Sequence, residues 1–133
     1  MKSSVDKHIQ QNLTKIFHSD DMDQLDQIVT KYGVDFEING GTLLFWAVYV
    51  NNILAVKRLL ELGADPNILD SNGRSCLSIA SYFGFVDIFK HLIRYGAKID
   101  SSCIERAYHG WDGHVQEEIL KVLKRYPFNN KDN

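Results

Sequence analysis

Gly40-Gly41-Thr42-Leu43-Leu44-Phe45-Trp46-Ala47 and Gly73-Arg74-Ser75-Cys76-Leu77-Ser78-Ile79-Ala80 say nearly the same thing, and 33 residues separate each position of one from its counterpart in the other. The offset holds beyond these two stretches. Ile53 and Leu59-Leu60 return as Val86 and Leu92-Ile93, and Gly63-Ala64 returns as Gly96-Ala97. A period in this range marks stacked supersecondary units, none of which buries its apolar face alone.

The repeat sets the frame for the rest of the chain. From about 36 to 68, Asn39-Gly40-Gly41 is turn chemistry, Thr42 is a helix cap, and Asn51-Asn52 divides a first helix from a second over Ile53–Leu62. From 69 to 100 the pattern is most regular. Asp70-Ser71-Asn72-Gly73 turns, Ser75 caps a helix reaching Phe83, Gly84 reverses the chain, and Val86–Tyr95 returns. Residues 1–35 read as a degenerate first unit. There Ile9, Leu13, Ile16 and Phe17 fall at helical spacing, Ser19-Asp20 offers a cap, and Tyr32-Gly33 closes a second helix. The acidic run Asp20, Asp21, Asp23 and Asp26 reads as capping plus a solvated face.

The last unit, 101–127, leaves the period. Ile104 and Ala107 match Leu77 and Ala80 at an offset of 27, so its turn is six residues shorter. Ile119, Leu123 and Tyr126 match Ile88, Leu92 and Tyr95 at 31, so four residues are inserted, within His109-Gly110-Trp111-Asp112-Gly113-His114. End units of a stack are atypical because one face of each meets water. Residues 128–133 read as a frayed tail.

Composition excludes several classes. A net charge of -2 is not that of a phosphate-tracking nucleic-acid binder. The start, Met1 to Lys7, lacks the apolar core of a secretory signal. Ile38–Val56 carries no charge, but its Asn and Gly residues and its place inside the repeat make it a buried helix between turns rather than a bilayer span. Two cysteines, Cys76 and Cys103, make no disulfide framework and read as reduced thiols of a cytoplasmic protein. Cys103, His109, Asp112 and His114 form the one cluster of ligand-type or base-type residues. Glycines interrupt its His-x4-His spacing, and no phosphate loop, nucleophile elbow or Cys-x-x-Cys pair accompanies it. No cofactor, metal site or enzymatic activity is expected.

The two Gly-x-[Thr/Ser]-x-Leu-x-x-Ala stretches, with Leu60-Glu61-Leu62-Gly63-Ala64-Asp65-Pro66-Asn67 between them, resemble ankyrin repeats, whose motif is Thr-Pro-Leu-His-x-Ala at a period of 33. The resemblance implies an all-α solenoid of helix-turn-helix units with reduced β-hairpin fingers and atypical capping repeats at both ends. Here the motif's proline is Leu43 and Cys76 and its histidine is Phe45 and Ser78, so the histidine's hydrogen bonds must be replaced and the stack less regular. The resemblance also implies a protein-binding scaffold that is monomeric when free. Its fingers and first helices make a wall, on which it places Ile38, Asn39, Gly41, Tyr49 and Val50, then Ser71, Asn72, Arg74, Tyr82 and Phe83, then His109, Trp111 and Asp112.

Of these, Tyr49, Asn72, Arg74, Tyr82, Phe83, His109, Trp111 and Asp112 are the expected contacts, because aromatic residues and Arg concentrate interface energy. Trp46, like its counterpart Ile79, reads as core. His8, His18 and His91 read as solvated helix-face residues. A short array of this kind is also similar to the immunity proteins of bacterial toxin systems, contact-dependent growth inhibition included. That similarity implies a toxin domain as the partner. A general adaptor is the alternative within the same class.

Overall fold

Short polar side chains set the helix boundaries. In the computed structural model, which describes residues 4–126 and their side chains from residue 7 onward, Thr42 Oγ1 accepts from the Phe45 amide at 3.1 Å and Ser75 Oγ from the Ser78 amide at 3.0 Å. Asn52 Oδ1 accepts from the Ala55 amide at 3.0 Å, and Asp100 Oδ1 from the Ser102 amide, also at 3.0 Å. Each satisfies an amide that an opening helix leaves without a partner. The helices so started are α3 (Leu43–Tyr49), α5 (Cys76–Phe83), α4 (Ile53–Glu61) and α7 (Ser101–Tyr108), in the order of the caps just given. Preceding them are α1 (Ser4–Ser19) and α2 (Met22–Tyr32); α6 (Val86–Arg94) and α8 (Glu117–Arg125) complete four helix pairs.

The cap of α2 lies one residue later than Ser19-Asp20 suggested. Asp21 accepts from the Gln24 amide, while Asp20 adopts a left-handed φ of 56°. Tertiary contact explains the shift. Asn52 Nδ2 donates to Asp20 Oδ1 and to the Phe17 carbonyl, both at 2.9 Å, so Asp20 serves the junction between units. Asp26, read from sequence as a solvated carboxylate, also faces the next unit. Its two oxygens take Arg58 Nε and Nη2 at 2.8 and 2.6 Å. The Arg58 hydrogen bond holds the Asp26 carboxyl below its ordinary value.

The pairs stack in two layers. In one, α3 packs on α5 and α5 on α7; in the other, α2 packs on α4, α4 on α6 and α6 on α8. One continuous core lies between them, from Ile9, Leu13 and Ile16 through Leu44, Val48 and Leu59 to Leu77, Leu92 and Ile119. α3 is apolar on nearly every side because it has neighbours on nearly every side. Leu43, Leu44, Phe45, Ala47 and Val48 are all at most 1% exposed. The middle of the charge-free stretch is therefore interior helix, with the first finger before it and an exposed turn after it, and among the described residues no helix is long and apolar enough to cross a membrane.

The fingers differ from one another. The first is a two-stranded hairpin of β1 (Glu37–Ile38) and β2 (Gly41–Thr42), with Ile38 opposite Gly41. Its tip needs left-handed backbone at Asn39 and Gly40, and a Cβ on Gly40 would collide with Ser71 of the second finger. The Ser71 amide donates to the Gly40 carbonyl at 2.7 Å, so the two fingers abut. The second finger has no strand. Asp70 closes it, accepting from the Asn72 and Arg74 amides at 3.1 and 2.7 Å. In the third unit the short turn leads straight into α7. The tail expected at 128–133 lies outside the described residues.

Candidate protein-binding site

The helical register puts Tyr49, Tyr82 and His109 at equivalent places, the C-terminal ends of α3, α5 and α7. From that edge the structure builds a run of rings across successive units. Trp46 meets Tyr49 with ring centroids 5.7 Å apart, and Tyr49 meets Phe83 edge to face at 5.8 Å. Phe83 in turn contacts Tyr82 at 5.1 Å and stacks on Phe85 at 5.3 Å. The Arg106 guanidinium of α7 lies 5.4 Å from the Tyr82 ring centre. Tyr49 is 42% exposed, whereas Tyr82 and Phe83 are half-buried. Phe83 also packs against the core. Edge-to-face and cation–π contacts of this kind fix ring orientation before any partner arrives.

The inserted segment is docked onto α5. The Trp111 amide donates to the Tyr82 carbonyl at 3.0 Å, and the Gln116 amide to the Ala107 carbonyl at 2.6 Å. Gln116 lies so close to Gly84 that a Cβ there would strike its side chain. The Trp111 indole is left 58% exposed beside the ring run. Asp112 spends Oδ1 on the His114 amide at 3.1 Å and so shapes the loop. His109 and Asn72 are exposed.

Two wall assignments change and a third is restrained. Ile38 is 5% exposed and Gly41 is buried, because Trp46 Nε1 donates to the Ile38 carbonyl at 2.7 Å and folds the finger onto α3. Gly41 lies where a Cβ would meet the Phe45 and Trp46 rings. Arg74, expected as a contact, is tied down. Its Nε and Nη2 reach Asp70 Oδ2 at 2.8 and 2.7 Å, and its guanidinium lies 5.5 Å from the Phe45 ring centre. Burial opposes ionisation of Asp70, but the Arg74 hydrogen bond and the amides of Arg74 and Asn72 outweigh it and keep its pKa below the ordinary value. The two motif-histidine positions make other contacts. Phe45 is clamped by Trp46 and Arg74, and Ser78 Oγ donates to the Ser75 carbonyl at 2.9 Å.

Sequence reading missed a gap beside this wall. A cavity of about 400 Å³ separates α1 from α3 and the first finger, lined by Leu13, Phe17, Ile38, Trp46 and Val50 with Gln10, Thr14, His18 and Asn39 around them. Trp46, read as core, lines it half-exposed. Its one signal in sequence is that Trp46, at the position equivalent to Ile79, is too large for an interior repeat position.

The residues that a metal or nucleophile would need do not converge. Cys103 is fully buried, and burial pushes its thiol up to about 12. It contacts Asp100, while His109 and His114 are exposed. Among the described residues no group of three or more His, Cys, Asp or Glu is placed to hold a metal ion. His91, read as solvated, is half-buried with Nδ1 against the Asp87 carbonyl.

Comparison with known proteins settles the scaffold. A family model described as "Ankyrin repeats (3 copies)" matches residues 7–103. The chain belongs to the ankyrin-repeat family. It is similar to a putative ankyrin repeat protein of Acanthamoeba polyphaga mimivirus, 30% identical over 67% of this chain and 13% of that protein. NF-kappa-B inhibitor delta of Mus musculus is 38% identical over 48% of this chain and 20% of its own length. An ankyrin repeat domain-containing protein 49 of Drosophila melanogaster is 41% identical over 41% and 26%. The ankyrin match thus spans between about an eighth and a quarter of each relative. Ankyrin repeats of this kind are protein-interaction modules.

Proposed function

We propose that this ankyrin protein binds one specific protein partner along the α3–α5–α7 edge, with Tyr49, Tyr82, Phe83 and Trp111 as its anchors. The observation that carries the reading is the run of preoriented rings across two successive units, Trp46 and Tyr49 and then Tyr82, Phe83 and Phe85, with Arg106 of the next unit against it. An interface pays less conformational entropy when its aromatic side chains are already held, and buried aromatics dominate alanine scans of interfaces. Asn72 and His109 supply polar edges. Arg74 and Asp112 contribute through the shape of finger and loop as well as through their own charge.

In its finer form the partner is a bacterial toxin domain met in the cytoplasm, and this chain occludes it. Support comes from the likeness to immunity proteins noted in the sequence. A relative that bears the name of an inhibitor adds to it. Co-expression separates the two levels. An immunity protein rescues cells from its toxin, and Tyr49→Ala abolishes rescue while the fold persists by circular dichroism. At a hot spot that substitution weakens binding by about 30-fold or more in titration calorimetry. Binding without rescue leaves an adaptor. Binding that is indifferent to Tyr49, Tyr82 and Trp111 removes the wall itself.

A further inference from the structure

The two ends of the stack are finished differently. On α1 from residue 7 and on α2, every exposed side chain is polar, as a terminal unit in water requires. The C-terminal pair departs from this at Tyr108. Ile104 and Tyr108 of α7 and Leu120 of α8 line an open groove of about 420 Å³, and Tyr108 is 52% exposed.

Charge on the same face identifies an occupant. Glu117, Leu120, Lys121 and Lys124 follow one another at i, i+3, i+4 and i+7 and form a single outward stripe of α8. The acid stands at its start and the base at its end, about 10 Å apart along the helix. Such a stripe is complementary to itself when reversed. A twofold axis through Leu120 and Lys121 sets Glu117 of each copy beside Lys124 of the other, with the Leu120 and Tyr108 side chains meeting between them. No ion pair among the described residues engages Glu117 or Lys124, while Lys121 is already paired with Glu118 at 3.0 Å.

We propose that the α7–α8 end face is a self-association surface, which a second copy of this chain covers through an antiparallel α8–α8 contact. The dimer buries the groove and leaves both ring-lined walls free, so it presents two partner sites. It replaces the free monomer expected from the sequence.

Sedimentation equilibrium on the full chain tests it. Wild type passes from 15.3 kDa towards twice that mass as concentration rises. Glu117→Lys alone and Lys124→Glu alone each put like charges opposite one another twice, and each weakens association by about tenfold or more. Mixed one to one, the two variants restore it, because every lysine of one now faces a glutamate of the other. Helical circular dichroism of each variant shows that it is folded. A wild-type mass that stays at 15.3 kDa at all concentrations overturns the proposal. So does a mixture that associates no better than its components, since a structural effect of either substitution is not repaired by mixing.

Discussion

Replacing Arg74 by alanine distinguishes a residue that only touches a partner from one that holds the second finger shut. Asp70 is 3% exposed in its side chain and Arg74 34%, with Nη2 and Oδ2 2.7 Å apart. Removing one member of a buried pair costs about 3–5 kcal/mol. Two features lower that figure here. Arg74 is a third solvent-exposed, and Asp70 keeps its two backbone donors. About 2 kcal/mol is the expected loss, including a small cation–π contribution from Phe45.

Acid gives the second readout. The folded Asp70 carboxyl titrates below its ordinary value, so the unfolded chain takes up its proton first as pH falls. Its contribution is complete above the ordinary carboxylate range and is lost as pH drops through the folded value. Urea unfolding followed by circular dichroism at pH 7 and pH 3 measures both effects. Arg74→Ala shifts the midpoint strongly at pH 7 and less at pH 3, and Asp70→Asn flattens the loss of stability between them. Arg74→Ala within about 0.5 kcal/mol of wild type at pH 7 refutes the clamp and returns Arg74 wholly to the wall.

Asn52→Ala removes a helix cap and two hydrogen bonds that join the first unit to the second, at an expected cost of about 2–3 kcal/mol. Ser75→Ala removes a comparable cap that has no such bridge, at about 1 kcal/mol. Equal shifts in melting temperature for the two would show that the Asn52 bridge contributes nothing. Cys76 and Cys103 are both fully buried, and burial raises each thiol to about 12. Both therefore react with a thiol-specific disulfide reagent only at the rate of unfolding, in step with denaturant. Rapid stoichiometric reaction in the native protein contradicts that placement.

The 33-residue period was legible as direct repetition, and the caps at Thr42 and Ser75, the break at Asn51-Asn52 and the reversal at Gly84 were legible because each depends on residues within a few positions of one another. Apolar spacing likewise named Ile9, Leu13 and Ile16 as the core-facing side of the first helix, and the ankyrin register named the edge bearing Tyr49 and Tyr82. Contacts between units were not legible. Asp20 and Asp26 read as local capping and solvated charges, yet Asn52 and Arg58, 32 positions away in each case, claim them. Ile38 left the expected wall because Trp46 of its own unit claims its carbonyl, and Arg74 is held down by Asp70 four residues away and by Phe45 of the neighbouring unit. A period fixes where a side chain stands on its own helix. Which neighbour satisfies its charge or covers its ring depends on how the units settle against one another, and only tertiary packing decides that.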